Sequence, residues 1–184
     1  MAINLTKGQR IDVGLEKAGV GLGWNPNEAA SSHGFDLDAS VFMLNESGKL
    51  PSPEFFVFYN NPVSPDKSVA TSGDNRTGEG DGDDESLTVN LPAVDARISE
   101  LLFVVTIHEA VERKQNFGQV RNAFIRIYDA AKGVDICKYE LDEDFSTESA
   151  VEFGRLYRRN GAWKFEAIGR GHTGGLQAMI DKYS

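Results

Sequence analysis

Short apolar runs, several of them alternating with polar residues, recur along almost the whole chain. "QRIDVGL" at 9–15, "ASVFMLN" at 39–45, "EFFVFYN" at 54–60, "SLTVNL" at 86–91 and "LLFVVTIH" at 101–108 have the length and the β-branched or aromatic content of strands. The second half adds "NAFIRIYD" at 122–129, "DICKYEL" at 135–141, "AVEFGRLYR" at 150–158 and "AWKFEAI" at 162–168. Nine such runs predict an all-β fold. Between the last two, Asn160 and Gly161 supply the positive φ angles of a two-residue type I′ turn, which sets Arg155 opposite Glu166 and Leu156 opposite Phe165. Helical signal is confined to 92–101, where Pro92 suits a first turn, and to the C-terminal 174–183. Two antiparallel sheets packed face to face, an antiparallel β-sandwich with short helices, satisfy the pattern.

Composition narrows this further. A chain of 184 residues, 40% of them hydrophobic, can bury one sizeable core and is short for two, so a single domain over 1–184 is expected. The net charge of -9 opposes nucleic acid and anionic membrane surfaces and makes a cation the natural ligand. Cys137 is the sole cysteine, so no internal disulfide can form, and the start "MAINLTKGQRIDVG" lacks the apolar core of a signal peptide. The longest apolar run, at 101–107, falls far short of the roughly 20 residues that cross a bilayer. A cytoplasmic protein without direct membrane insertion is expected.

One stretch stands apart: "SGDNRTGEGDGDDES" at 72–86 sets Asp74, Glu79, Asp81, Asp83, Asp84 and Glu85 against the single cation Arg76. It falls in a loop expected to run from Asn61 to Ser86 with no strand inside it, a length that is usually functional or disordered. Gly73, Gly78, Gly80 and Gly82 permit tight turns that aim carboxylates and carbonyl oxygens at one centre. Oxygen donors without nearby histidine or cysteine favour a hard cation, calcium first and magnesium second. An EF-hand frame fails, because from Asp74 to Glu85 it puts Arg76 at the third ligand position and Glu79 where the turn needs glycine. A solvated acidic loop accounts for the same composition, and the stretch alone does not decide between them.

A second acidic feature is "HGFDLDASVF" at 33–42. Strand alternation puts Asp36, Asp38 and Ser40 on one face and Leu37, Ala39 and Val41 on the other, with the carboxylates roughly 6–7 Å apart. The first face then turns apolar at Phe42 and Leu44, so the pair is partly desolvated and needs a cation or hydrogen-bond donors. Asp36 capping a turn and Asp38 meeting an arginine would serve equally. "FYNNP" at 58–62 adds Asn60 and Asn61 at a strand end; ordinary turn chemistry explains them too.

"VGLGWNP", "FDLDASVF", "FYNNPVSPDKSV", "SGDNRTGEGDGDDES", "FVVTIHEA", "QNFGQVRNAFIRI", "YELDEDFSTESAVEFGRLYRRNGAWKFEAIG" and "GGL" follow one another in an order that resembles the TerD family of tellurium-resistance and stress proteins. The resemblance covers nearly the whole chain. It implies a cytoplasmic β-sandwich that binds calcium, more than one ion, and has no established catalysis. It also implies operons conferring resistance to tellurite, phage and colicins, and partners among the other tellurium-resistance proteins, including a membrane-embedded one. Carried onto this sequence, it puts calcium ligands among Asp36, Asp38, Asn60, Asp74, Asp81, Asp83, Asp84 and Glu85, with Asn75, Gly78 and Gly80 as candidate carbonyl ligands.

Enzymatic readings fare less well. Asp36 with Asp38 has the composition of a glycosidase pair but no legible sugar cleft, and "GEGDGDDES" lacks the lysine that a phosphate-binding loop needs. Cys137 reads as core or edge packing. His33, His108 and His172 lie in separate motifs without zinc spacing, His108 as a structural strand end and His172 as a surface residue. Glu140, Asp142, Glu143 and Asp144 form either a lesser cation site or an acidic turn.

Overall fold

The structure, a computed structural model, describes residues 1–25, 34–71, 82–141 and 145–184. Twelve strands fall among them: β1 (Ile3–Leu5), β2 (Arg10–Asp12), β3 (Lys17–Asn25), β4 (Leu37–Leu44), β5 (Phe56–Val57), β6 (Val69–Thr71), β7 (Glu85–Asn90), β8 (Glu100–Ile107), β9 (Arg121–Asp129), β10 (Val134–Glu140), β11 (Ala150–Arg159) and β12 (Ala162–His172), followed by helix α1 (Gly175–Tyr183). They form two six-stranded sheets, ordered β1-β10-β9-β3-β7-β6 and β2-β12-β11-β8-β4-β5. Every pairing is antiparallel except that of β1 with β10, so the expected sandwich is present with one parallel edge.

The hairpin read from Asn160 and Gly161 has the expected register. Arg155 lies opposite Glu166 and Leu156 opposite Phe165, with both turn residues at positive φ, 52° and 75°. The Arg155 guanidinium bonds Glu166 at 2.7 Å and Glu100 at 2.9 Å, tying three strands of one sheet together on its outer face.

Three expectations need correction. The span 92–101 is not a helix: a 3-10 turn occupies Leu91–Ala93, and Val94 and Ile98 are drawn into the core before β8 begins. Arg158 fixes this stretch by donating to the carbonyls of Val94, Asp95 and Ile98, a tertiary grip that overrides local helix propensity. The run 54–60 contributes only the two residues of β5, preceded by a 3-10 turn over Pro53–Phe55. The loop from 61 to 86 is interrupted by β6, which pairs with β7.

β3 is absent from the sequence-level strand set because glycine occupies its outward positions. Val20 and Leu22 point into the core, while a Cβ on Gly19, Gly21 or Gly23 would come within 2.1–2.4 Å of Tyr128, Asp83 and Phe124 respectively. Those three side chains lie flat on the strand, so the glycines are seats for neighbours rather than flexible linkers.

The main core lies between the sheets. β4 is buried on both faces: Leu37, Ala39, Val41 and Met43 face the sandwich interior, and Phe42 and Leu44 join a second cluster with Phe56, Leu102 and Val104 beneath α1. The helix covers that cluster with Leu176, Met179, Ile180 and Tyr183. Beside them Glu152, only 1% exposed, accepts hydrogen bonds from Lys182 at 2.9 Å and from the Tyr183 hydroxyl. His172, expected at the surface, is partly buried with Nε2 3.2 Å from the same carboxylate.

Candidate metal centre

The described candidate acids lie at or beside the starts of β4 and β7. Asp36 immediately precedes β4 and accepts the His108 N–H on its carbonyl at 2.8 Å. Asp38 sits on β4 opposite Thr106, half-buried, with its Oδ2 3.7 Å from His108 Nδ1. Strand alternation separates this pair from Leu37 and Ala39 as the sequence implies, the latter two being buried in the core.

β7 approaches from the opposite sheet. Glu85 is 8% exposed, and its Oε2 accepts the Ala39 N–H at 2.6 Å, joining the first residue of β7 to the start of β4. Among the described residues β5 pairs with β4 only at Val41 and Phe42, so the Glu85 carboxylate serves an N–H that no described strand reaches. The bond places Asp38, next to Ala39, and Asp84, next to Glu85, at one end of the sandwich. Asp84 is fastened to β3 twice, donating its N–H to Leu22 O and accepting the Trp24 N–H on Oδ2, both at 2.8 Å. Burial pushes the Asp84 carboxyl above the usual carboxylate range against the pull of the Trp24 N–H, and the charge of Asp83 adds to the rise. A partly buried carboxylate beside a like charge is stabilised by any cation that comes near.

Asp83 is turned the other way. Both its oxygens are taken by Arg126 on β9, Oδ1 by Nε at 2.8 Å and Oδ2 by Nη2 at 2.7 Å, above Gly21 on the outer face of the sheet. Asn60 is exposed in the turn between Phe58 and Asn61. Its neighbour Asn61 has the structural role, donating its side-chain amide to the carbonyls of Glu54 and Phe56. Asp74, Asn75, Gly78, Gly80 and Asp81 lie outside the described residues, as do His33, Asp142, Glu143 and Asp144. Among the described residues no three carboxylate, histidine or cysteine groups converge to hold a metal ion by themselves.

Arg126, Trp24 and Ala39, which hold Asp83, Asp84 and Glu85, were not singled out from the sequence. Arg126 alternates regularly in "NAFIRIYD", but its partner is visible only once β3 is known to lie beside β9.

The chain matches the TerD domain family model over residues 1–183. The chain belongs to the TerD family. General stress protein 16U of Bacillus subtilis (strain 168) is 51% identical over 188 residues, spanning 100% of this chain and 97% of that protein. Tellurium resistance protein TerD of Serratia marcescens is 50% identical over 190 residues, spanning 100% and 97%. The crystal structure of a homologue of telluride resistance protein TerD from Streptomyces coelicolor A3(2) superposes with a TM-score of 0.74 at 22% identity, covering 91% of this chain and 96% of that one, which supports the fold. TerD membership makes this a protein of a tellurium-resistance and stress-response family. Among the described residues no helix is long and apolar enough to cross a membrane.

Proposed function

We propose that this TerD-family chain is a calcium-binding stress-response protein with no catalytic activity, in which Ca2+ orders the acidic segment and creates a surface for partner proteins. The observation that supports the reading is the Glu85–Ala39 bond, which sets the first residue of β7 beside the strand that carries Asp38. Bound there, the cation neutralises Asp36, Asp38, Asp84 and Glu85, with further ligands from Asp74 to Asp81 and from Asn60. More than one ion is accommodated by that number of donors. Partner docking is supported by a hollow of about 300 Å³ beside Asp38, lined also by Tyr59, His108, Glu109, Val111 and Leu176, with Tyr59 and Val111 exposed. The partners are other tellurium-resistance proteins, a membrane-embedded one among them, met from the cytoplasm without insertion of this chain. Tellurite is an oxyanion, so a protein of charge -9 would act indirectly rather than by trapping it.

The test is calorimetric titration of the chelator-stripped protein with calcium, with magnesium in parallel. Micromolar calcium binding, about -7 to -8 kcal/mol, is expected, weakened in Asp36→Asn and Asp38→Asn. Absence of both heat and thermal shift would refute calcium binding. It would favour a metal-independent interaction module, a reading supported by the protein groups that already hold Asp83, Asp84 and Glu85.

A further inference from the structure

Among the described acids of the segment, Asp83 is distinguished from its neighbours by where it points. Glu85 reaches across to the opposite sheet, whereas Asp83 lies on the outer face of its own sheet in a two-toothed pair with Arg126. Charge-assisted fork pairs of this kind fix geometry as well as adding energy. Arg126 is itself held on three sides: by Asp83, by Asp135 through Nη1, and by the Tyr128 ring beneath it at 4.4 Å. The seat for Asp83 exists because residue 21 is glycine; a Cβ there would come within 2.2 Å of the carboxylate. Each Asp83 oxygen keeps a second lone pair, but a cation that used it would sit close to the Arg126 charge and compete with it for the same carboxylate.

From this we infer that Asp83 is a tether rather than a metal ligand, and that Arg126 is a positioning residue that withholds it from the cation and fixes the C-terminal end of the acidic segment. The inference rests on the calcium reading for its binding consequence and on geometry alone for its structural one. The segment leaves the sheet at a fixed point, and Asp84 and Glu85 are presented from a pinned backbone. Pre-positioned ligands bind with a smaller ordering cost, so releasing the tether weakens binding although no ligand is removed.

Calcium titration of Asp83→Asn, Arg126→Gln and the double variant, alongside hydrogen exchange of amides 82–90 in chelator, reads both consequences. Each single variant is expected to weaken calcium binding by a similar factor, roughly three- to tenfold, and the double variant no further than the weaker single. Were Asp83 a ligand, Asp83→Asn would weaken binding while Arg126→Gln, by freeing it, would strengthen binding; opposite signs overturn the inference, as does unchanged affinity in both singles. Arg126→Lys keeps the charge without the fork and, should Arg126→Gln not fold, is expected to weaken binding in the same direction. A parent protein that binds no calcium refutes the functional reading and leaves the tether to the exchange data. There, faster exchange at 82–90 in both singles is expected, and unchanged protection in either one overturns the tether.

Discussion

Replacing Glu85 with alanine removes the carboxylate that links the two sheets at the acidic edge. Glu85 is 8% exposed and accepts the Ala39 N–H at 2.6 Å, so the bond is made in a largely desolvated setting. A hydrogen bond to a charged group contributes about 1.5–3 kcal/mol, and a buried N–H left without an acceptor costs about 1–3 kcal/mol, two figures that overlap rather than add. A loss of about 1.5–3 kcal/mol is expected for Glu85→Ala, equivalent to about 3–12 °C in Tm for a chain of this size. Glu85→Gln keeps an oxygen in reach of Ala39 and loses only the charge, so about 1 kcal/mol is expected. Urea unfolding with chelator present, followed by tryptophan fluorescence, separates this structural role from any metal effect. An alanine variant within about 0.5 kcal/mol of the parent at the same urea dependence would show that the inter-sheet bond contributes little, and the reasoning would fail.

Other consequences can be checked with equal economy. Gly21→Ala drives a Cβ into the Asp83 carboxylate and is expected to cost about 1–3 kcal/mol and to raise exchange at 82–90, whereas wild-type stability would contradict the tight seat. Glu152 is held below the usual carboxylate range: burial works to raise it, but the bonds from Lys182 and Tyr183 outweigh burial, with the charges of Lys182 and His172 assisting. A depressed carboxyl stabilises the fold in full above its unfolded pKa of about 4.3, and that contribution disappears as pH falls through the lower folded value. Exchange in 175–183 should therefore accelerate in acid, and Glu152→Gln should lose that dependence and be looser at neutral pH. The buried Cys137 thiol, pushed up to about 12 by burial, should resist iodoacetamide at pH 8 until denaturant is added. Rapid labelling of the native protein would place it nearer the surface.

What could be read before the structure was whatever a strand declares by its own side chains. β11 and β12 announced themselves through the Asn160-Gly161 turn and the Arg155–Glu166 pair, and β4 through the alternation of Asp36 and Asp38 with Leu37 and Ala39. β3 declared nothing, because its outward residues are spaces that Tyr128, Asp83 and Phe124 fill from elsewhere in the chain. The helix expected over 92–101 failed for a related reason: Pro92 marks a turn correctly, but Arg158, from a distant strand, sets the path of residues 94–98. At the candidate site the identity of the acids was legible and their direction was not. Nothing local to Asp83 distinguishes it from Asp84, and the difference is made by Arg126 and Trp24 on two other strands.

The first twelve residues have a bearing on how the molecule is made. β1 runs beside β10, with Ile3 opposite Cys137, and β2 beside β12, with Asp12 opposite Lys164, so one short N-terminal segment closes an edge of each sheet. Each of these pairings therefore joins residues far apart in the chain. Until the segment pairs, β10 and β12 stand as open sheet edges, and the cost of closing such long loops falls late in folding. Edges left open are sites for pairing with the wrong chain, so this one segment protects both sheets once it has closed on them.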